Sequence, residues 1–211
     1  MESRRVYKFL KSDDALWDIR QQKLKISEIC DLNDPFELAP FDLSDPEFRK
    51  TLLKSRDELN ANRGMVSCSR VWTCPILWAH YSDKHRGICL GFDVRKDRAT
   101  DIDYTKTRLP QPKELDARVA HQWLFTKFSG WAYEKEVRVY AERITEENGL
   151  HFADFGESMM LREVKVGHRC CTERSEILAA LGSYPEAVAI TKTRLSYNSF
   201  EVEEDQDGFS N

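Results

Sequence analysis

The sequence predicts an α+β domain, and three observations carry the prediction. Runs such as Arg86-Gly-Ile-Cys-Leu-Gly-Phe-Asp93 alternate apolar and small or polar residues, the period of a strand. Helix starts with 3.6-residue periodicity lie among these runs without strict βαβ alternation, which argues against a doubly wound parallel sheet. Phosphate loops of the G-x-G-x-x-G or G-x-x-x-x-G-K-[ST] kind do not occur in the chain. With 211 residues, 41% hydrophobic and 11% aromatic, the chain can bury a sizeable core. We expect one domain over 1–200. It would hold a mixed, mainly antiparallel sheet split around a cleft and flanked by helices, with an acidic, frayed tail over 201–211.

Residues 4–10 read as the first strand. Ser12-Asp-Asp14 opens a helix, with Ser or Asp capping its free amides and Leu16, Trp17 and Ile19 toward the core. Residues 24–26 alternate as a short strand. Asn33-Asp-Pro-Phe-Glu37 is a turn: Asx side chains bond nearby amides, Pro35 keeps Asp34 extended, and Phe36 would anchor the corner in the core. Ser44-Asp-Pro-Glu47 is a capping box for a helix to about residue 60, with Leu52, Leu53 and Leu59 on its apolar side. Residues 64–69 return to strand, with Met65, Ser67 and Ser69 on one face.

Pro75–Tyr81 reads as a helix with proline in its first turn, and Trp78 and Tyr81, three apart, share a side. In 86–93, Ile88, Leu90 and Phe92 form the apolar face. Gly87, Cys89 and Gly91 form a face of small residues that admits another backbone or a ligand. Residues 102–104 are a short strand, followed by a basic loop with Lys106, Arg108 and Lys113. A helix is expected over 113–128, with Leu115, Val119, Trp123 and Phe125 apolar. Residues 131–140 read as a strand and 144–156 as loop. Residues 159–166 are a strand pair or one bent strand closed by Gly167. A last helix over 172–181 precedes strands at 187–190 and 195–202.

The formal net charge of −4 argues against broad phosphate-backbone binding while leaving a local basic groove open. The amino terminus lacks an apolar run of signal length, and no stretch approaches the roughly 20 apolar residues of a membrane span. A cytoplasmic protein without a membrane partner is expected. Cys30, Cys68, Cys74, Cys89, Cys170 and Cys171 form no Cys-x-x-Cys, so reduced thiols are expected. The histidines at 80, 85, 121, 151 and 168 lack zinc-ligand spacing, and no metal is expected.

The stretch 131–140 bears the candidate chemistry. As a strand it places Glu134, Glu136, Arg138 and Tyr140 on one face and Tyr133, Lys135, Val137 and Val139 on the other. Two carboxylates and a guanidinium are costly to bury unless they pair or meet a ligand. The stretch is therefore either a salt-bridged strand or the floor of a polar site. Asp34 and Glu37 either shape a rigid corner or line that site and hold its arginine.

Tyr7-Lys8, Asn33-Asp-Pro-Phe-Glu37, Ser67-x-Ser69, Leu77-Trp-Ala-His-Tyr81, Gly87-x-x-x-Gly-Phe92, Trp131-x-x-Glu-x-Glu-x-Arg138 and Val164-x-Val-Gly167 occur in this order. Together, over about residues 5–197, they resemble the bacterial domain of unknown function 2971 family, whose name implies no activity. Lys8 (or Arg5), Ser67 with Ser69, and Glu134 with Glu136 also resemble the ordered motifs of the ADP-ribosyltransferase superfamily, with lysine in place of the usual histidine or arginine. That second resemblance implies an ADP-ribosyltransferase-like fold and NAD as substrate, for transfer or for NAD glycohydrolysis.

In that chemistry the bond from ribose to nicotinamide breaks through an oxocarbenium-like transition state. Glu136 would hold a ribose hydroxyl and stabilise the developing charge. Glu134 would orient or deprotonate an acceptor, protein or nucleic acid. Ser67 would support Glu136, Ser69 would shape the strand, and Trp78 or Tyr81 would stack on nicotinamide. Lys8 or Arg5 would meet pyrophosphate. Arg138 would join them or pair with Glu37, and Asp34, Glu37 and His80 would support the site. One alternative is a non-catalytic nucleotide- or protein-binding module in a bacterial stress or phage-defence system. Another is a metal-dependent nuclease using Asp34, Glu134, Glu136 and Lys135, against which Lys135 points to the opposite strand face. Oligomeric state is left open.

Overall fold

The computed structural model describes residues 2–26, 32–114, 116–142, 145–147 and 150–209. Cys30 and Leu115 lie outside the described residues. The class is α+β. In chain order the elements begin with β1 (Ser3–Leu10), α1 (Ser12–Gln21), β2 (Lys23–Lys25), α2 (Pro46–Asn62), β3 (Arg63–Ser69) and α3 (Pro75–Tyr81). They continue with β4 (Ile88–Arg95), β5 (Ala99–Asp101), β6 (Asp103–Thr105), α4 (Ala117–Phe125), β7 (Thr126–Phe128) and β8 (Glu136–Glu142). The last are β9 (Thr145–Glu147), β10 (Leu150–Asp154), β11 (Met159–Val166), α5 (Arg174–Leu181), β12 (Ala189–Leu195) and β13 (Val202–Glu204).

The chain packs into two compact units. The first comprises the residues up to Leu24, Cys68–Arg98 and those from Asp154; the second comprises Lys25–Ser67 and Ala99–Ala153. In the first unit the strand order is β13-β12-β11-β4-β1, followed by the end of β3. β4 runs antiparallel to both β1 and β11, while β11 and β12 are parallel and joined through α5. The apolar face of β4 explains its central place: Ile88, Leu90, Phe92 and Val94 are fully buried, together with Val6, Leu161 and Val164. On the opposite face of β4, Gly91 receives the protein's own side chains. A Cβ at Gly91 would lie 2.9 Å from the Glu163 Cβ and 3.1 Å from the Tyr7 ring. β11 is one bent strand, its register shifting between Leu161 and Glu163.

In the second unit β3, β8 and β5 are neighbours, β6 and β7 form a parallel pair, and β9 pairs antiparallel with β10. Leu38 and Met65 are buried there, with Leu32, Trp123 and Leu124 packed against them. The Trp123 indole N–H donates to the Leu38 carbonyl at 2.7 Å, so a large ring enters the core with its polar atom satisfied.

Several local expectations are corrected. Lys11, not Ser12 or Asp13, is the residue before α1, and no side chain caps it. Ala15, Asp18 and Ile19 face inward, whereas Trp17 is exposed with the Lys23 ammonium 5.1 Å from its ring. Phe36 is 57% exposed; Leu38, at a left-handed φ of 55°, turns inward in its stead. Asp45 rather than Ser44 caps α2, its Oδ1 accepting from the amides of Glu47 and Phe48. Helix α4 is shorter than 113–128, because Asp116 caps it by accepting from Val119 N and the chain leaves as β7 after Phe125. Residues 144–156 hold β9 and β10. The strand expected at 187–190 instead runs Ala189–Leu195, and α5 starts at Arg174 with Glu173 and Glu176 forming the capping box. The segment from Glu201, expected to fray, contains β13: Val202 is fully buried and Glu204 meets Lys165 at 2.7 Å.

Candidate functional site

The charged stretch 131–140 is not one strand. Ser129–Glu134 winds as a 3-10 helix, Lys135 takes a left-handed φ of 44°, and β8 begins at Glu136. The break has a local cause: Lys135 N donates to the Ala132 carbonyl, which closes the turn and leaves Lys135 exposed. Glu134 and Glu136 therefore meet through a third residue rather than along a strand face.

That residue is Lys127, in β7. Its ammonium lies 2.7 Å from Glu134 Oε2, 3.0 Å from Glu136 Oε2 and 3.8 Å from Glu37 Oε2, and 5.1 Å from the Trp131 ring centre. Arg138, 1% exposed, spends its guanidinium within the fold. Its Nε donates to Glu136 Oε1 at 2.9 Å, Nη2 to Glu37 Oε1 at 2.5 Å and Nη1 to the Leu124 carbonyl at 2.6 Å. Tyr104 completes the cluster, its hydroxyl accepting from the Glu136 amide at 2.9 Å. The neighbouring backbone is fixed just after β5, where Ile102 N donates to the Glu136 carbonyl.

Three carboxylates thus face two cations in a buried setting, where charge must be paired or neutralised. Burial opposes the charged form of Glu136, yet Arg138 and Lys127 outweigh it and hold its pKa down at about 2. Glu37 takes the surplus: burial raises its pKa, aided by the Glu136 charge and opposed by Arg138 and Lys127. Tyr104 is pushed up to about 12, chiefly by burial. Lys127 is held firmly protonated by Glu136 and Glu134 against its burial.

At the corner before this cluster, Asp34 Oδ1 accepts from the Phe36 amide at 2.9 Å, as the turn chemistry of Asn33-Asp-Pro requires. Its Oδ2 is buried without a hydrogen-bond partner among the described residues. Adjacent in the second unit is a small cavity of about 180 Å³ lined by Phe36, Pro40, Thr105, Lys106, Arg108, Lys127 and Phe128, among others. Phe36 and Phe128 are half exposed there, and the Arg108 guanidinium lies 5.2 Å from the Phe36 ring while Nη1 donates to the carbonyls of Ala39 and Phe41.

The expected site residues divide between the two units. Asp34, Glu37, Ser67, Glu134, Glu136 and Arg138 belong to the second; Arg5, Lys8, Ser69, Trp78, His80 and Tyr81 belong to the first. Of the two readings of Arg138, the structure has the pairing with Glu37. Trp78 does not offer a face for stacking on a ligand: it is fully buried, edge-on to Phe9 at 5.3 Å, with its N–H on the Trp72 carbonyl. Arg5 is engaged with Asp93 at 2.7 Å and with Glu163. Ser69 Oγ accepts from the Val71 amide, and His80 is exposed on α3.

The sequence carries no local signal for Lys127 and Tyr104 as members of this cluster. Neither stands in a motif, and only the pairing of β6 with β7 places them together. Among the described residues no group of three or more His, Cys, Asp or Glu is placed to hold a metal ion, and no helix is long and apolar enough to cross a membrane. Comparison of the chain with family models, curated proteins and solved structures gives no match.

Proposed function

We propose that the protein is a non-catalytic binding module for a nucleotide-type ligand, with a binding pocket in the second unit. The observation that carries this reading is the engagement of Glu136. Both its carboxylate oxygens are committed, one to Arg138 and one to Lys127, and the residue is 4% exposed. A carboxylate that stabilises an oxocarbenium ion needs an oxygen free to meet the sugar. The cavity beside the cluster offers instead two half-exposed aromatic rings and a cationic rim. At about 180 Å³ it is below the roughly 300–1,000 Å³ of sites that enclose a whole ligand, so it suits one ring or one phosphate group.

A bacterial cytoplasmic sensor in a stress or defence system, with a protein partner, is the setting this reading fits. Membership in the domain of unknown function 2971 family belongs to the same proposal and rests on the ordered residues quoted above. Glycosyl transfer from NAD is the second reading, favoured by the convergence of Glu134 and Glu136 on one ammonium.

Calorimetric titration with ATP, ADP and NAD, run beside an assay of nicotinamide release, separates the two. The binding reading expects saturation without product, and affinity lowered several-fold in Phe36→Ala and Phe128→Ala, since stacking on an aromatic face is worth about 1–3 kcal/mol. Nicotinamide release that disappears in Glu136→Gln would replace it with the transferase reading.

A further inference from the structure

The first unit holds a larger cavity that the charged cluster does not touch. It measures about 850 Å³, within the range of sites that enclose a small ligand. His85, His168, Lys84 and Arg169 line it together with the segment 195–201.

Two features mark this cavity as built for occupancy. The first is backbone strain. Asp83, Lys84 and His85 take successive left-handed φ values of 42°, 55° and 70°, a region non-glycine residues seldom adopt even singly. Such strain persists where surrounding structure over-determines it, and it gathers at ligand sites. Here the turn is clamped by His85 N on the Trp78 carbonyl and by Arg169 N on the His85 carbonyl. The second clamp depends on Gly167, because a Cβ there would lie 2.3 Å from the His85 oxygen.

The second feature is what the clamp presents. The His85 and His168 rings sit edge to face with centres 4.8 Å apart, and His85 lies parallel to Trp78. Each Nδ1 is buried without a hydrogen-bond partner among the described residues, a costly state for a native fold. Burial, then neighbouring positive charge, lowers the pKa of both imidazoles, so both are neutral near pH 7 and able to accept as well as donate. Among the other lining residues Tyr197 is 92% and Phe200 99% exposed, with the Arg194 guanidinium 4.5 Å from the Tyr197 ring centre. Glu201 is the one acidic lining residue among the described residues, and its Oε1 accepts from the Thr73 hydroxyl at 3.5 Å. Lys84 and Arg169 form no side-chain ion pair within the described residues.

We propose that this cavity binds a nucleotide unit, with the base on Tyr197 or Phe200 and the phosphate at Lys84 and Arg169. Exposed aromatic faces stack bases of any sequence, and uncommitted cations supply phosphate contacts. The unit can be a free mononucleotide or part of a single strand. This site shares no residue with the cavity of the second unit and stands whether or not that one is a binding pocket.

The test uses the full chain and two probes, AMP by calorimetry and a fluorescein-labelled eight-nucleotide dT strand by anisotropy. Saturable binding of either is expected. AMP alone identifies a free nucleotide, and a strand bound at least tenfold tighter identifies a polymer. Tyr197→Ala and Phe200→Ala alter nearly fully exposed side chains, so they leave the fold intact; one or both should weaken binding at least tenfold. Lys84→Gly should weaken binding too, while raising Tm by about 2–4 °C through relief of the left-handed strain. In a Phe36→Ala background, which removes a ring from the second-unit cavity, saturable binding should persist and still weaken with Tyr197→Ala or Phe200→Ala. The proposal is overturned if neither probe saturates, if the three first-unit variants bind like the wild type, or if only Phe36→Ala loses the probe.

Discussion

Arg138 and Glu136 show how a side chain of high desolvation cost is kept inside a fold. The guanidinium donates to two carboxylates and a carbonyl, and Glu136 in turn is shared with Lys127. Removing one member leaves its partners buried with charge unmet, the costly direction for such pairs. Glu136→Gln is expected to lose about 3 kcal/mol in urea unfolding at pH 7. The acid limb carries a signature. Because folding lowers the Glu136 pKa from 4.5 to about 2, its stabilisation is complete above pH 4.5 and is lost as pH falls to 2. The variant should therefore show a shallower loss over that window. Asp18 has the opposite sign. Burial, with Asp14 adding to it and Lys8 opposing, lifts its pKa from 3.8 to about 7. The stability of its protonated form is complete below pH 3.8 and lost as pH rises to 7. Asp18→Asn should thus flatten the decline in Tm from pH 4 to 8 and be more stable than the wild type at pH 8, by about 1–4 kcal/mol.

Element boundaries follow caps and left-handed residues more than apolar periodicity. Helix α4 starts where the Asp116 carboxylate accepts from Val119 N at 2.7 Å, well inside the apolar pattern that begins near residue 113. Asp116→Ala is expected to cost about 1 kcal/mol, read as a shift in urea midpoint with an unchanged m-value. Pro75–Tyr81 was legible to the residue, because proline at a first helical turn is a local signal that no tertiary contact needs to supply. The stretch 131–140 was not. Its alternating charges satisfy a strand period, but a left-handed residue at Lys135 is unmarked when it is not glycine. The same blindness hid the turn Asp83-Lys84-His85.

At the level of the whole chain, each compact unit is assembled from separated segments. β4 in the first unit lies between β1 and β11, so its ladder is completed by residues after Asp154. A fragment ending at Arg98 would leave one edge of β4 unpaired, with Phe92 and Leu90 stripped of Leu161 and Val164. Such a fragment is expected to lack dispersed amide proton shifts, whereas the full chain should show them together with cooperative thermal unfolding.

The α+β class, a strand expected over 86–93 and found at 88–95, the helix at 75–81 and the pairing of Glu37 with Arg138 were within reach of residue patterns, since period, proline and uncompensated charge act locally or demand one opposite partner. Lys127 among three carboxylates, Tyr104 under Glu136, and the facing of His85 and His168 required the tertiary structure. These contacts join residues with no fixed spacing, and burial decides there which charge is kept, which is neutralised and which strained turn is held.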